Sequence, residues 1–378
     1  MKIDRKGDFV DNKIKELSKK IVDYSINVQK GEKVLISIDS IETSYLVKCL
    51  VRDIATVGGV PFVKLVDSEI NSVLLENTNE KRIEILKKQA KFEIDNYDSF
   101  INIRYHGNDY VDKNVPIETR KKIAAATQKY HDVKIDERKW TLLNYPSMTD
   151  AFKAKMSYDE FSEFAFNTMT VDYAKMDKDI EPLKKLMEKT DKVRLVAKNT
   201  DITFSIKGIP VIPCCGKNNI PDGEIFTAPV RDSINGVITY NTPSPYQGNI
   251  YNNVSLTFKD GKIVKATCDG DNDKLNEIFD TDEGARYVGE FAIGLNPLIK
   301  YPMGDILFDE KIIGSIHFTP GKCYEEAPNG NKSSIHWDMV LIQREDFGGG
   351  EIYFDDVLIR KNGLFVLPEL EHLNYNLK

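Results

Sequence analysis

No apolar run in this chain approaches the roughly 18 residues a spanning helix needs. The opening stretch, MKIDRKGDFVDNKIKELSKK, lacks the apolar segment of a secretory leader, so a cytoplasmic location is expected. Basic residues are not in excess either. Lys and Arg number 52 against 59 Asp and Glu, a formal net charge of −7, which offers no general surface for a polyanion and excludes nucleic acid as an expected partner. Cysteine is sparse: Cys49, Cys214, Cys215, Cys268 and Cys323 are scattered, without C-x-x-C spacing, and read as reduced structural thiols. Neither G-x-G-x-x-G nor G-x-x-x-x-G-K-[ST] occurs, so a dinucleotide or P-loop site has no support, and the absence of H-E-x-x-H removes helix-borne single-zinc proteases.

What is present is an ordinary globular composition, 41% apolar and 29% charged, over 378 residues, a length that favours two cores over one. In the first half, helical and extended patterns alternate. DNKIKELSKKIVDYSINV, TSYLVKCLVRDIATVGG, NEKRIEILKKQAKF and IETRKKIAAATQKY read as helices; EKVLISID, VPFVKLV, DSFINIRY and KWTLLNY read as strands. That order predicts an α/β domain with a mainly parallel sheet. From about Ser147 to Lys189 the pattern is helical, and Ser157 followed by Glu160 is a capping-box signal. Beyond it the texture turns to short alternating runs, with Asp260-Gly261 marking a hairpin. The fold class expected is therefore α/β: residues 1–188 as the N-terminal domain with a helical bridge, and residues 189–378 as a β-rich α+β domain.

The β-rich half carries the polar residues that stand out. SSIHWDMV, residues 333–340, reads as a strand with Ile335, Trp337 and Met339 turned one way and His336 and Asp338 the other. GSIHFTPG repeats the arrangement, with Ile316 and Phe318 opposed to His317. Glu224 follows a Pro-Asp-Gly turn at the start of an apolar strand, and Glu290 sits inside the apolar run RYVGEFAIG, where a carboxylate is costly without an internal partner. Glu310 precedes His317 and Tyr324 follows it. Singly, each has a plain structural reading: an H-x-D on a polar strand face, a solvated Asp-Glu-Lys turn, a core-edge tyrosine. The remaining histidines, His106, His131 and His372, end strands or helices or lie in a polar tail, and are weak candidates.

Together, three glutamates, two histidines and one aspartate form an imidazole and carboxylate set without thiolate. Such a set suits Zn, Co or Mn, with Mg possible, and carboxylates can bridge two ions. A structural zinc site would be closed by four ligands, usually with cysteine. A hydrolase with two divalent metal ions is the implied class.

The motifs IPDGEIFTAP, GARYVGEFAIG, LFDEK followed by GSIHFTPG, CY, and SSIHWDM, in this order, resemble the thermophilic metalloaminopeptidase family, the aminopeptidase T and aminopeptidase S group. YPSMTDAFKAKMSYDEFSEF extends the resemblance upstream. The resemblance implies that Glu224, Glu290, Glu310, His317, His336 and Asp338 are metal ligands and Tyr324 an active-site tyrosine, in a homodimeric aminopeptidase that takes peptides with a free N-terminus. Only the stretch between Tyr324 and His336 departs, being shorter than in many relatives, which bears on specificity. On this reading Glu290 bridges the ions, Glu224 and His317 complete one site, and Glu310, His336 and Asp338 help complete the other. Tyr324 would stabilise the developing oxyanion or leaving group, and Glu290 or Glu310 would carry the proton. Two alternatives stay open: a metal-dependent hydrolase of another small amide, and a non-catalytic metal-stabilised scaffold.

Overall fold

In a computed structural model, which describes residues 5–375 and 377, the chain forms two compact units, Met1–Val171 with Gly216–Pro221, and Asp172–Cys215 with Asp222–Lys378. The first is built on a parallel sheet in the order Val60–Leu65, Lys33–Ile38, Ser99–Tyr105, Lys139–Tyr145 and the short Asn219–Ile220. Parallel pairing needs crossovers, and the intervening helices supply them. Helix Ser44–Thr56 shows why they pack: Leu46, Leu50 and Ile54 fall on one face and are buried with Val47. The helical stretch after Ser147 resolves into Met148–Lys153, Tyr158–Met169 and Tyr173–Lys189, the second opened by the Ser157–Glu160 capping box. Among the described residues no helix is long and apolar enough to cross a membrane.

The second unit contains two antiparallel sheets. The larger runs through the strands between Lys192 and Ser205, the hairpin Asn249–Lys259 and Lys262–Asp269 turned by Asp260-Gly261, and the C-terminal strands from Gly350. The smaller has five strands in the order Val340–Ile342, Ser315–Pro320, Val288–Gly294, Glu224–Thr227, Ile212–Cys214. Its register decides where the chemistry lies. Glu290 stands opposite Thr319, Ala292 opposite both His317 and Phe226, and Gly294 opposite Glu224, so all of these share one face. Phe291 and Phe318 take the other face and meet Phe204 of the larger sheet, both at ring-centroid distances of 5.0 Å. One face of the small sheet is thus packed against the larger sheet, and the other carries Glu224, Glu290, His317 and Thr319 beside the buried Ala292 and Phe226.

The segment 333–339 differs from expectation. It is extended but is not a strand of the sheet, running beside Ser315–Pro320 with a single isolated bridge, between Gly321 and His336, and scattered backbone bonds such as Phe318 N–H to Met339 O at 3.1 Å. The Trp337 N–H donates to Pro320 O at 3.1 Å, and the reciprocal bond cannot form because Pro320 has no N–H. The alternation nevertheless holds: Ile335, Trp337 and Met339 are buried, with Trp337 stacked on Phe279.

Candidate metal centre

Glu224, Glu290 and His317 come to the centre from three adjacent strands. A second layer closes over them. Helix Ile306–Asp309 ends at Glu310, its turn tied down by Asp309, whose carboxylate accepts from the N–H groups of Met303 and Gly304. This segment can cross the sheet because Gly294 has no side chain: a Cβ there would stand 2.3 Å from Ile312 O and 3.1 Å from Glu310 O. From the other side, the extended segment after Ser334 brings His336 and Asp338. All six residues named from the sequence thus meet in one place. His317, read as lying on a polar strand face, is in fact 1% exposed; Glu290, read as needing an internal partner within its apolar run, is 3% exposed.

Glu290 is the hinge of the arrangement. Its Oε1 lies 3.1 Å from His317 Nε2 and its Oε2 lies 3.3 Å from His336 Nε2. His317 Nε2 also faces Glu224 Oε2 at 3.5 Å, and His336 Nε2 faces Asp338 Oδ1 at 3.1 Å. Each imidazole is oriented by a backbone carbonyl on its other nitrogen: His317 Nδ1 on Glu310 O at 3.2 Å, His336 Nδ1 on Lys322 O at 2.8 Å. A carbonyl only accepts, so both Nδ1 atoms carry hydrogen and both Nε2 atoms face inward, each able to hold a proton or, in its place, a metal ion. Thr319 Oγ1 donates to Asp338 Oδ1 at 2.7 Å, holding that carboxylate in place.

Inward imidazole nitrogens facing carboxylate oxygens need a cation between them, a proton on the nitrogen or a metal ion in its place. Glu224 Oε2 and His336 Nε2 are buried with no well-aligned hydrogen bond. Donor atoms about 2.1 Å from a tetrahedral ion stand about 3.4 Å apart, which is the range of spacings found between the inward nitrogens and oxygens. The ligand set therefore fits divalent ions. Three overlapping groups have converging donor atoms: Glu224 with Glu290 and His317; Glu290 with His336 and Asp338; and Glu310 with His317 and Asp338.

The protonation pattern of the metal-free cluster follows the same crowding. Burial would lower both imidazoles, but the carboxylates outweigh it, holding His317 at about 9 and His336 well above its ordinary value. Burial pushes Glu224 up to about 7 and raises Glu310, each opposed by Lys311. Glu290 and Asp338 are held below the usual carboxylate range, because hydrogen bonds and charge from the histidines overcome their burial.

Tyr324 stands at the rim, its ring 4.8 Å from that of His336 and 5.5 Å from that of Phe226. It is 45% exposed as a residue, yet burial around its hydroxyl and the negative charge of Glu290 and Asp338 keep the phenol protonated. The weaker histidines lie elsewhere. His106 pairs with Asp150 in the first unit, His131 is exposed on a helix, and His372 meets Asp179 O.

Three side chains here carry no sequence signal. Lys311 is fully buried, and its ammonium lies 2.5 Å from Glu224 Oε1 and 2.7 Å from Glu310 Oε1. Asp222 Oδ1 is 3.6 Å from the same ammonium, and Cys214 joins Asp222 and Glu224 in a further converging group. Only the placement of Lys311 directly after Glu310 could have pointed to it, and Asp-Glu-Lys reads more readily as a surface turn. All five cysteines are free thiols.

The fold and cluster define a protein with a buried set of carboxylates and imidazoles, of the kind that suits divalent ions, on an antiparallel sheet. The chain belongs to the thermophilic metalloprotease (M29) family, which it matches over residues 10–365. Among curated proteins, Aminopeptidase 2 of Geobacillus stearothermophilus is 34% identical over 144 residues, 32% of this chain and 34% of that protein. Aminopeptidase T of Thermus thermophilus is 32% identical over 143 residues, covering 34% and 35%. These alignments span about a third of each relative's length. Aminopeptidase PepS of Streptococcus thermophilus aligns at 25% identity over 382 residues, 87% of this chain and 91% of that one. The solved structure of wild-type AmpT from Thermus thermophilus superposes with a TM-score of 0.78 at 20% identity, covering 94% of this chain and 99% of that chain. The α/β first unit and β-rich second unit are thus the fold of that structure.

Proposed function

We propose that this protein is an aminopeptidase that removes N-terminal residues from peptides at a centre of two divalent ions, zinc, cobalt or manganese, with magnesium admissible. The observation that carries the reading is the division of Glu290, whose two oxygens face two different histidines, each with its far nitrogen tied to a carbonyl. One carboxylate shared between two such half-sites is what a bridging ligand requires. Glu224 and His317 would complete one half-site; His336 and Asp338 the other, with Glu310 between them. Bound there, divalent ions would lower the pKa of water and polarise a peptide carbonyl.

The chain's own groups supply the rest. Glu290 or Glu310 would take a proton from water and return it to the departing amine. Tyr324, a protonated phenol at the rim, would donate to the oxygen on which charge develops. The substrate's free amine would be fixed by an ion or a cluster carboxylate, setting the register of the first carbonyl. The catalytic machinery lies wholly within the second unit. A cytoplasmic homodimer, implied by the family resemblance, belongs to the same proposal.

A timed digest followed by mass spectrometry tests it. A free peptide should shorten one residue at a time from its amino end, and its N-acetylated form should be cleaved orders of magnitude more slowly. Internal fragments at early times, or equal rates on the two peptides, would point instead to a hydrolase of other amides; metal binding with no turnover of any amide would leave a scaffold.

A further inference from the structure

The cluster holds a cation of its own. The Lys311 side chain has no solvent exposure, and its ammonium has three hydrogens to give. They meet Glu224 Oε1 at 2.5 Å and Glu310 Oε1 at 2.7 Å, with Asp222 Oδ1 at 3.6 Å. The backbone fixes the position: Lys311 N–H donates to Phe308 O at 3.0 Å as the short helix ends, and Lys311 O accepts from Asn296 N–H at 3.0 Å. The two oxygens of Glu224 are thereby divided. Oε1 goes to the ammonium, and Oε2 turns to His317 Nε2 at 3.5 Å. Five carboxylates, Asp222, Glu224, Glu290, Glu310 and Asp338, gather here against one lysine. With both histidines neutral, two divalent ions would cancel the four negative charges that remain.

We propose that Lys311 is a positioning residue and a built-in cation of the metal centre: it occupies one oxygen each of Glu224 and Glu310, so that each offers a single oxygen to an ion, and it keeps the cluster assembled before metal arrives. A chelating Glu224 would have to give up the 2.5 Å contact, leaving a buried ammonium short of a partner, which is costly. The inference rests on reading the cluster as a metal centre. It adds that the fold does not depend on the ions, because Lys311 already supplies part of the charge they would.

The test compares wild type with Lys311→Met, a neutral side chain of similar length, each stripped with chelator and then reloaded with zinc or cobalt. Stripped wild type should stay folded. Stripped Lys311→Met should melt lower by roughly 10 °C, as loss of one partner from a buried ion pair implies, and zinc should return most of the difference. In the cobalt form, Glu224 freed from Lys311 should bind through both oxygens, raising the coordination number and weakening the visible absorption band relative to wild type. Equal melting of the two stripped proteins, or identical cobalt spectra, would overturn the proposal. If Lys311→Met cannot be obtained folded, a crystal structure of the zinc-loaded wild type decides. Lys311 still bonded to single-oxygen Glu224 and Glu310 supports the proposal, and a displaced Lys311 or a chelating Glu224 overturns it. A wild type that takes up no divalent ion by elemental analysis would remove the metal-centre reading and this inference with it, whereas metal uptake with spectra indifferent to Lys311 removes only the inference.

Discussion

Thr319→Val isolates one support of the centre. Thr319 is fully buried on the strand Ser315–Pro320, opposite Glu290, and its only polar atom outside the backbone donates to Asp338 Oδ1 at 2.7 Å. Valine keeps the volume, the β-branch and the strand backbone, so the substitution removes that hydrogen bond and little else. A hydrogen bond to a charged group is worth about 1.5–3 kcal/mol, which would be about tenfold to a hundredfold if all of it bore on metal affinity. Not all of it should, since the same bond exists in the metal-free protein. It acts on affinity by holding Asp338 in its ligating orientation, so the lower end, about tenfold, is expected, in line with what outer partners of metal ligands contribute. The effect should fall mainly on one ion, because Asp338 converges with Glu290 and His336 in one group and with Glu310 and His317 in another, but in neither with Glu224. Competition against a graded series of chelators, reading the first and second zinc separately, measures it. Thr319→Ser, which keeps the hydroxyl, should remain close to wild type. Equal weakening of both ions, or a serine variant that binds worse than the valine one, would refute the reasoning, the second because it would show that packing by the methyl group is what matters.

Tyr324→Phe should retain both metal ions and lose mainly kcat, by about a hundredfold if the phenol donates to developing charge; an unchanged kcat removes Tyr324 from the chemistry. Metal-free protein should lose stability as pH rises from about 6.5 to 9. Burial would lower the His317 imidazole, but Glu224 and Glu290 hold it at about 9, so its protonation contributes stability that is complete below its unfolded pKa of about 6.5 and gone above 9. Zinc must displace that proton, so affinity should climb through the same window. A metal-free melting temperature that rises between pH 6.5 and 9 would contradict this.

How much of this could be read in the chain depends on how local each cause is. The parallel sheet was legible because strands such as Lys33–Ile38 are buried and bounded by helices whose apolar residues recur at helical spacing, a property of neighbouring residues. The six clustered side chains were legible as residue types in a particular order, and by their family resemblance. That Ile335, Trp337 and Met339 turn inward followed from alternation, which needs only an extended backbone, whereas membership of the sheet did not follow, because it depends on Pro320, a residue of the neighbouring strand.

The burial of the site was the part hidden from sequence, and the reason is physical. A polar strand face normally meets water, and His317 escapes it, as Glu290 in its apolar run was expected to, because residues 306–313 and 333–338 form a second layer above them. That layer approaches through the gap left by Gly294, a contact between segments remote in sequence. Lys311 is the extreme case. Asp309, Glu310 and Lys311 are consecutive, and three charges in a row favour a solvated turn, yet Asp309 is bound by two backbone N–H groups and Lys311 by carboxylates that include Glu224, 87 positions earlier in the chain. No local pattern encodes such a pairing, because the cost of burying each charge is met by a partner that only the fold delivers. The same non-locality explains why this lysine can bear on metal binding: it neutralises a carboxylate from another strand, and the oxygen left over points at His317.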